Sequence, residues 1–174
     1  MLKTIPWGDF IKIMSPQYYV LLVTSDGKRT NLTGISWFSI VSWEPPMAIV
    51  SIRDSRFGYK LLQKNHEFVI CIPSEEQQAA AIMCGKMSGS KVDKVKQGNF
   101  RLLQATKIRV PLIDKSTACI ECEVNMEIPA GDHRIILADI VECHGDFDKI
   151  RHIYTTAYST FYALDFSGVP EKKG

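Results

Sequence analysis

The stretch TNLTGISWFSIVSWEPP, Thr30 to Pro46, opens small and polar, turns aromatic and apolar at Trp37 and Phe38, and stops at two prolines. Its reading decides the fold class. Phe38 to Trp43 alternates apolar and polar residues, as a half-buried strand does. Pro45 and Pro46 end that strand, because proline has no N–H to give to a ladder. Upstream, Tyr18 to Thr24 (YYVLLVT) is β-branched and aromatic, and Asp26-Gly27 follows it as a hairpin turn. The quoted stretch is therefore the return limb of a hairpin. Why its first half carries Asn31, Thr33, Gly34 and Ser36 rather than packing residues is a separate question.

Working outward, Met47 to Ile52 and Glu67 to Ile72 read as further strands, and Ile120 to Ile128 and Arg134 to His144 as two later ones joined by a turn over Pro129 to His133. A helix over Arg56 to Asn65 places Phe57, Leu61 and Leu62 on one face. A second helix follows Pro73, where Ser74 to Gln77 has the pattern of a capping box, with Gly85 as its stop. Lys86 to Gly98 reads as a lysine-rich loop with a short helix, and Leu102 to Pro111 as irregular or extended. The tail carries Tyr154, Tyr158, Phe161 and Tyr162. Short strands at hairpin spacing with helices inserted mid-chain predict a mainly β, antiparallel barrel built as a single domain over residues 1–174.

Composition excludes several classes. With 45% hydrophobic and 23% charged residues, the chain is ordinary for a globular protein. At 174 residues it can bury roughly 70% of its unfolded surface without disulfide staples. The formal net charge of +2 speaks against nucleic acid or a membrane surface as partner. No apolar run reaches the roughly 18 residues of a bilayer span. The first residues, MLKTIPWGDFIKIM, lack a long apolar core and a small-residue cleavage site, so a cytoplasmic protein is expected. Five cysteines are present, an odd count that argues against a disulfide framework. Cys119 and Cys122 form a CxxC, but they lie in a strand, where residues three apart face opposite sides. No second pair completes a metal site, so both read as small buried hydrophobes and no metal is expected.

Three polar clusters could serve one ligand. Asn31 to Ser36 offers hydroxyls, an amide and a glycine beside the flat surface of Trp37 and Phe38, which suits a planar heterocycle; an ordinary solvent-facing hairpin limb has the same composition. Ser51-Ile52-Arg53-Asp54-Ser55-Arg56 lies between a strand end and a helix start, where free amides and two arginines can hold an anion; a capped helix with exposed arginines reads the same way. Ser88 to Lys94 is a small-residue loop before lysines, a phosphate cradle or a solvated charge run. No dinucleotide-binding glycine motif, P-loop or HExxH is present.

Taken in order, YYVLLVTS, NLTGISWF, VSWEPPMAIVSI, RFGYKLL with HEFVICIPS, CGKMSGSKVDK, ECEV and GDHRIILADIVECH resemble the flavin reductase-like family, the FMN-binding split barrels that include flavoredoxins. The resemblance covers roughly residues 15 to 145. It implies a homodimeric antiparallel split β-barrel with FMN near the dimer interface. It implies that Asn31, Thr33, Gly34, Ile35, Ser36 and Trp37 line the flavin ring, and that Ser51, Ile52, Arg53, Ser55, Arg56 and Lys91 hold the phosphate arm. His133, in a Gly-Asp-His turn, is implied to receive the nicotinamide of NADH or NADPH; a turn histidine bonded to nearby backbone is the alternative. The implied activity is electron transfer from NAD(P)H or a redox protein through bound FMN to an acceptor. A reductase releasing reduced flavin to a monooxygenase, and a flavin-binding protein without turnover, are the alternatives. Two positions depart from the family pattern: Gly34 stands where a threonine is common, and Gly58 where a hydroxyl is usual.

Overall fold

Val20–Ser25 is buried along its whole length. Tyr19, Leu21 and Val23 enter one apolar core, while Val20 and Leu22 enter another on the opposite face. A strand of continuous Val and Leu is what two-sided burial demands. The computed structural model describes residues 1–149, 151–157 and 160–164. Along the chain these form α1 (Trp7–Ile13), β1 (Gln17–Tyr18), β2 (Val20–Ser25), β3 (Thr30–Ile35), β4 (Phe38–Ser42), β5 (Met47–Arg53), α2 (Phe57–Asn65) and β6 (Glu67–Ile72). After a short 3₁₀ turn at Glu75–Gln77 come α3 (Gln78–Lys86), α4 (Lys94–Gln97), β7 (Leu102–Leu103), β8 (Leu112–Ile113), β9 (Ala118–Ala130), β10 (His133–Gly145), β11 (His152–Ala157) and β12 (Thr160–Leu164).

The main sheet has seven strands in the order β3-β2-β6-β9-β10-β5-β4, with antiparallel pairing throughout. Its two edges, β3 and β4, are neighbours in sequence, separated only by Ser36 and Trp37. Laid flat, seven strands would hold those edges about 29 Å apart. Three residue steps reach only about 10 Å. The sheet is therefore rolled, with a seam between β3 and β4 that no ladder closes among the described residues. That is the split barrel expected from sequence. Register shifts between Leu137 and Ala138, and between Ile140 and Glu142, supply local bends.

Inside the roll, Val20, Leu22, Val50, Ile52, Phe68, Ile70, Cys122 and Ile136 pack with Tyr59 and Leu62 of α2. Outside it, Leu21, Val23, Leu32, Val69, Cys71 and Cys119 pack under α3 and the segment carrying Ile108, Val110 and Leu112. Cys119 and Cys122 thus face different cores, as the strand periodicity predicts. Buried Glu121 on β9 anchors that outer segment: its carboxylate accepts the amides of Thr106 (2.7 Å), Lys107 (2.7 Å) and Ile108 (3.0 Å), and His144 Nε2 lies 2.7 Å away.

Some expectations are corrected. Gly85 does not stop its helix, which runs on to Lys86. Instead it sits beneath Tyr19, whose hydroxyl lies 2.2 Å from where a Cβ would be and donates to the Ala81 carbonyl at 3.2 Å. The helix α1 escaped the sequence reading because none of its residues is buried, so its pattern registers no core face. Tyr154 and Phe161 fall on β11 and β12, whereas Tyr158 lies outside the described residues. Among the described residues no helix is long and apolar enough to cross a membrane.

Candidate functional site

Two clefts adjoin at the seam. The first, of about 270 Å³, is polar and is walled by Asn31 and Thr33 of β3, Arg53 at the end of β5, Ser55 to Gly58 at the start of α2, Met87 to Gly89, and Lys94. The second, of about 660 Å³, is lined by aromatic and apolar groups, among them Tyr18, Trp37, Phe38 and Ile135, with Ser36, Ser51 and His133 at its margin.

The polar cleft has the chemistry that an anion requires. The first turn of α2 begins at Arg56, whose side chain does not cap it, so its leading amides are open and the helix dipole is unanswered. Lys94 is only 4% exposed. Its ammonium donates to the carbonyls of Leu32 (2.7 Å) and Cys84 (2.6 Å), which leaves one proton for the cleft. Burial and, secondarily, the charge of Arg56 pull its pKa down to about 8, with the nearby Cys84 thiol opposing them. Asn31 is 3% exposed, and its Nδ2 donates to Thr33 Oγ1 at 3.0 Å while its Oδ1 has no partner. Gly58 and Gly89 permit the close approach: a Cβ on Gly58 would sit 2.6 Å from Thr33 Oγ1, and one on Gly89 1.7 Å from Asn31 Oδ1.

The apolar cleft is organised by the turn between β9 and β10. The His133 ring lies 4.8 Å from the Trp37 ring, centroid to centroid. Its Nδ1 is 2.6 Å from Asp132 Oδ1, and Asp132 Oδ2 is 3.0 Å from Arg53 Nη2. His133 holds the Asp132 carboxyl below its ordinary range, with help from Arg53. Arg53, paired with His133 in the β5–β10 register, lines the polar cleft and reaches the apolar one through Asp132.

Of the residues singled out from sequence, Asn31, Thr33, Arg53, Ser55 and Arg56 meet in the polar cleft. Ser36, Trp37, Ser51 and His133 meet in the apolar one. Gly34 lies under Tyr19, Ile35 packs against the inner core, and the Ile52 side chain, 2% exposed, belongs to that core. Lys91 is exposed and lines neither cleft; its amide closes a turn onto Ser88 O at 3.0 Å. The segment reaches the cleft through Ser88, Gly89 and Lys94 instead. The missed signal is Asp93, which caps α4 by accepting from Lys96 N at 3.1 Å and so turns Lys94, the first helical residue, inward.

Residues 15–162 match the family described as the flavin reductase like domain. The chain belongs to that family. It is 28% identical to the NADH:riboflavin 5'-phosphate oxidoreductase of Streptomyces pristinaespiralis, over 75% of this chain and 71% of that protein. It is 23% identical to the flavin reductase of Pseudomonas putida, over 83% and 82%. The fold of this flavin reductase-like chain is shared with flavoredoxin from Methanosarcina acetivorans (TM-score 0.82, 22% identity, 99% and 98% covered). It is also shared with nitrilotriacetate monooxygenase component B from Bacillus cereus (TM-score 0.85, 17% identity, 94% and 96% covered).

Gly34 and Gly58, the two positions where the resemblance implies a hydroxyl-bearing residue, are both closely packed here. A Cβ on Gly34 would lie 1.9 Å from the Tyr19 hydroxyl. At Gly58 the space is filled by the Thr33 hydroxyl, reaching across from β3.

Proposed function

We propose that the chain is an FMN-holding oxidoreductase that takes electrons from NAD(P)H or a redox protein and passes them to an acceptor. One observation carries the reading: a cationic cleft at an uncapped helix start opens beside an apolar cleft walled by Trp37 and His133, and Arg53 bridges the two. The residues present fit a flavin phosphate. A phosphate monoester brings nearly two negative charges at neutral pH. Arg53, Arg56, Lys94 and the open α2 amides answer them. The unpartnered Asn31 Oδ1 is an acceptor for a ribityl hydroxyl.

When bound, the flavin supplies the hydride chemistry, and the protein supplies position and electrostatics. Trp37 and Tyr18 keep water from one side of the ring site. Asp132 fixes the His133 ring by accepting at Nδ1, which leaves Nε2 as the group free to meet a nicotinamide amide. Arg53 and Lys94 favour added negative charge within reach of the clefts. Lys94 takes the phosphate role that the resemblance implies for Lys91. The solvent-open rim of exposed Arg53, Ser55 and Arg56 also suits exchange, which favours release of reduced flavin to a partner enzyme as the second reading.

A homodimer belongs to the same proposal. Edge strand β4 presents Ile40 and Val41 to solvent, and Trp43 beside it is 91% exposed, a surface that a second copy would cover. Five free cysteines suit a reducing cytoplasm.

The test is the His133→Ala variant followed by stopped-flow absorbance. Wild type should bind FMN and bleach with NADH or NADPH. The variant should retain FMN and reduce at least about tenfold more slowly, the usual scale for loss of an orienting contact. A wild-type protein that neither takes up FMN nor quenches its fluorescence would sink the reading.

A further inference from the structure

The polar cleft has two ends. β3 runs from Thr30 past Asn31 and Thr33 toward Ser36 and Trp37, so the end near Arg53 faces the apolar cleft and the end near Gly89 faces away from it. At that far end lies Arg29, which is no part of the anion cluster itself. Its guanidinium donates to the Gly89 carbonyl and stacks over Phe57, 4.6 Å from the ring centroid. Both contacted residues line the cleft, Gly89 from the loop and Phe57 from the first turn of α2. The backbone of Arg29 is fixed as well: its amide donates to Asp26 Oδ1 at 2.9 Å, and Asp26 Oδ2 pairs with Lys64 of α2 at 2.9 Å. Three separate segments are thereby fastened together across the end of the cleft.

We propose that Arg29 is a specificity-determining residue that shuts the far end of the phosphate cleft, so that the site accepts a flavin ending in a phosphate monoester and turns away a dinucleotide. This rests on the flavin reading above. The polar cleft measures about 270 Å³, against about 660 Å³ for the apolar cleft beside it. A ligand carrying a second phosphate and an adenosine must continue past Gly89, where the guanidinium bridges the walls. Breaking that bridge gives up a charge-assisted hydrogen bond and a cation–π contact.

Fluorescence titrations of wild type, Arg29→Ala and Arg29→Lys with riboflavin, FMN and FAD test this. Lysine keeps the charge but cannot stack flat and donate together, and it guards against a misfolded alanine variant. Wild type should prefer FMN to FAD, and the preference should shrink about tenfold or more in Arg29→Ala, and partway in Arg29→Lys, with riboflavin affinity unchanged. Equal FMN and FAD affinities in wild type would overturn the proposal, as would an unchanged ratio in both variants. A wild type that binds none of the three flavins overturns the flavin reading itself.

Discussion

Lys94 makes FMN affinity dependent on pH in a calculable way. Its folded pKa is lowered from 10.5 to about 8, chiefly by burial. In the unliganded protein the desolvation penalty is therefore present below pH 8 and is relieved as pH rises from about 8 to 10.5, where the unfolded chain still holds the proton and the folded one does not. A phosphate dianion in the cleft reverses this by favouring the charged ammonium. FMN binding should take up a proton above pH 8 and weaken by about tenfold per pH unit, near 1.4 kcal/mol each. Between pH 7 and 10 the loss should be on the order of 50- to 100-fold if the bound pKa returns to its ordinary value. Fluorescence titration of FMN and riboflavin over that range measures it. Riboflavin shares the ring and its titrations but lacks the ester, so its affinity should not follow the same slope. Lys94→Gln should weaken FMN about 10- to 100-fold at pH 7, the size of one charge-assisted hydrogen bond, and should abolish the slope. Equal slopes for the two flavins, or a wild-type slope in Lys94→Gln, would refute the reasoning.

Two further outcomes follow from packing. Gly58→Ala places a methyl 2.6 Å from Thr33 Oγ1 and 3.0 Å from Asn31 Nδ2, so a gain in helix propensity of up to about 1 kcal/mol should be outweighed by about 1–3 kcal/mol of overpacking. Urea unfolding should show a net loss and flavin titration a weaker site; a stabilised variant would contradict the geometry. Glu121→Gln should cost about 3–5 kcal/mol, because amide hydrogens then face the donors that the carboxylate had satisfied. Burial pushes the Glu121 carboxyl up, but the amides of residues 106–108 and His144 together hold it below its usual value. Its stabilising contribution is present above about pH 4.5 and lost as pH falls below it. Thermal melts from pH 7 to 3 should therefore drop more steeply in wild type than in Glu121→Gln.

Much of the barrel was legible because its strands carry period-two signals that burial enforces. β5 is such a strand, β2 and β6 were legible instead as continuous apolar runs buried on both faces, and CxxC could be set aside on strand periodicity. The helices α2 and α3 were legible from apolar spacing and from the return half of the capping box, in which Ser74 N donates to Gln77 Oε1 at 3.2 Å. What sequence could not give was placement at the ends of elements. Lys91 and Lys94 are three apart in a basic loop, and nothing in composition says which turns inward; a helix cap at Asp93 decides it. Likewise Gly85 reads as a stop signal because a glycine needed for close approach looks the same as one needed for a left-handed turn. Arg29 was invisible as a site residue, since its partner carbonyl lies sixty positions along the chain.

The Tyr19 hydroxyl occupies a notch made by Gly34 on one side and Gly85 on the other. Three positions distant in sequence thus form one steric unit. A threonine at 34 has no room until the phenol at 19 is shortened, and shortening it leaves a hollow for a larger side chain at 85. Kin of this chain are therefore expected to exchange these residues as a set, with intermediates that fold poorly.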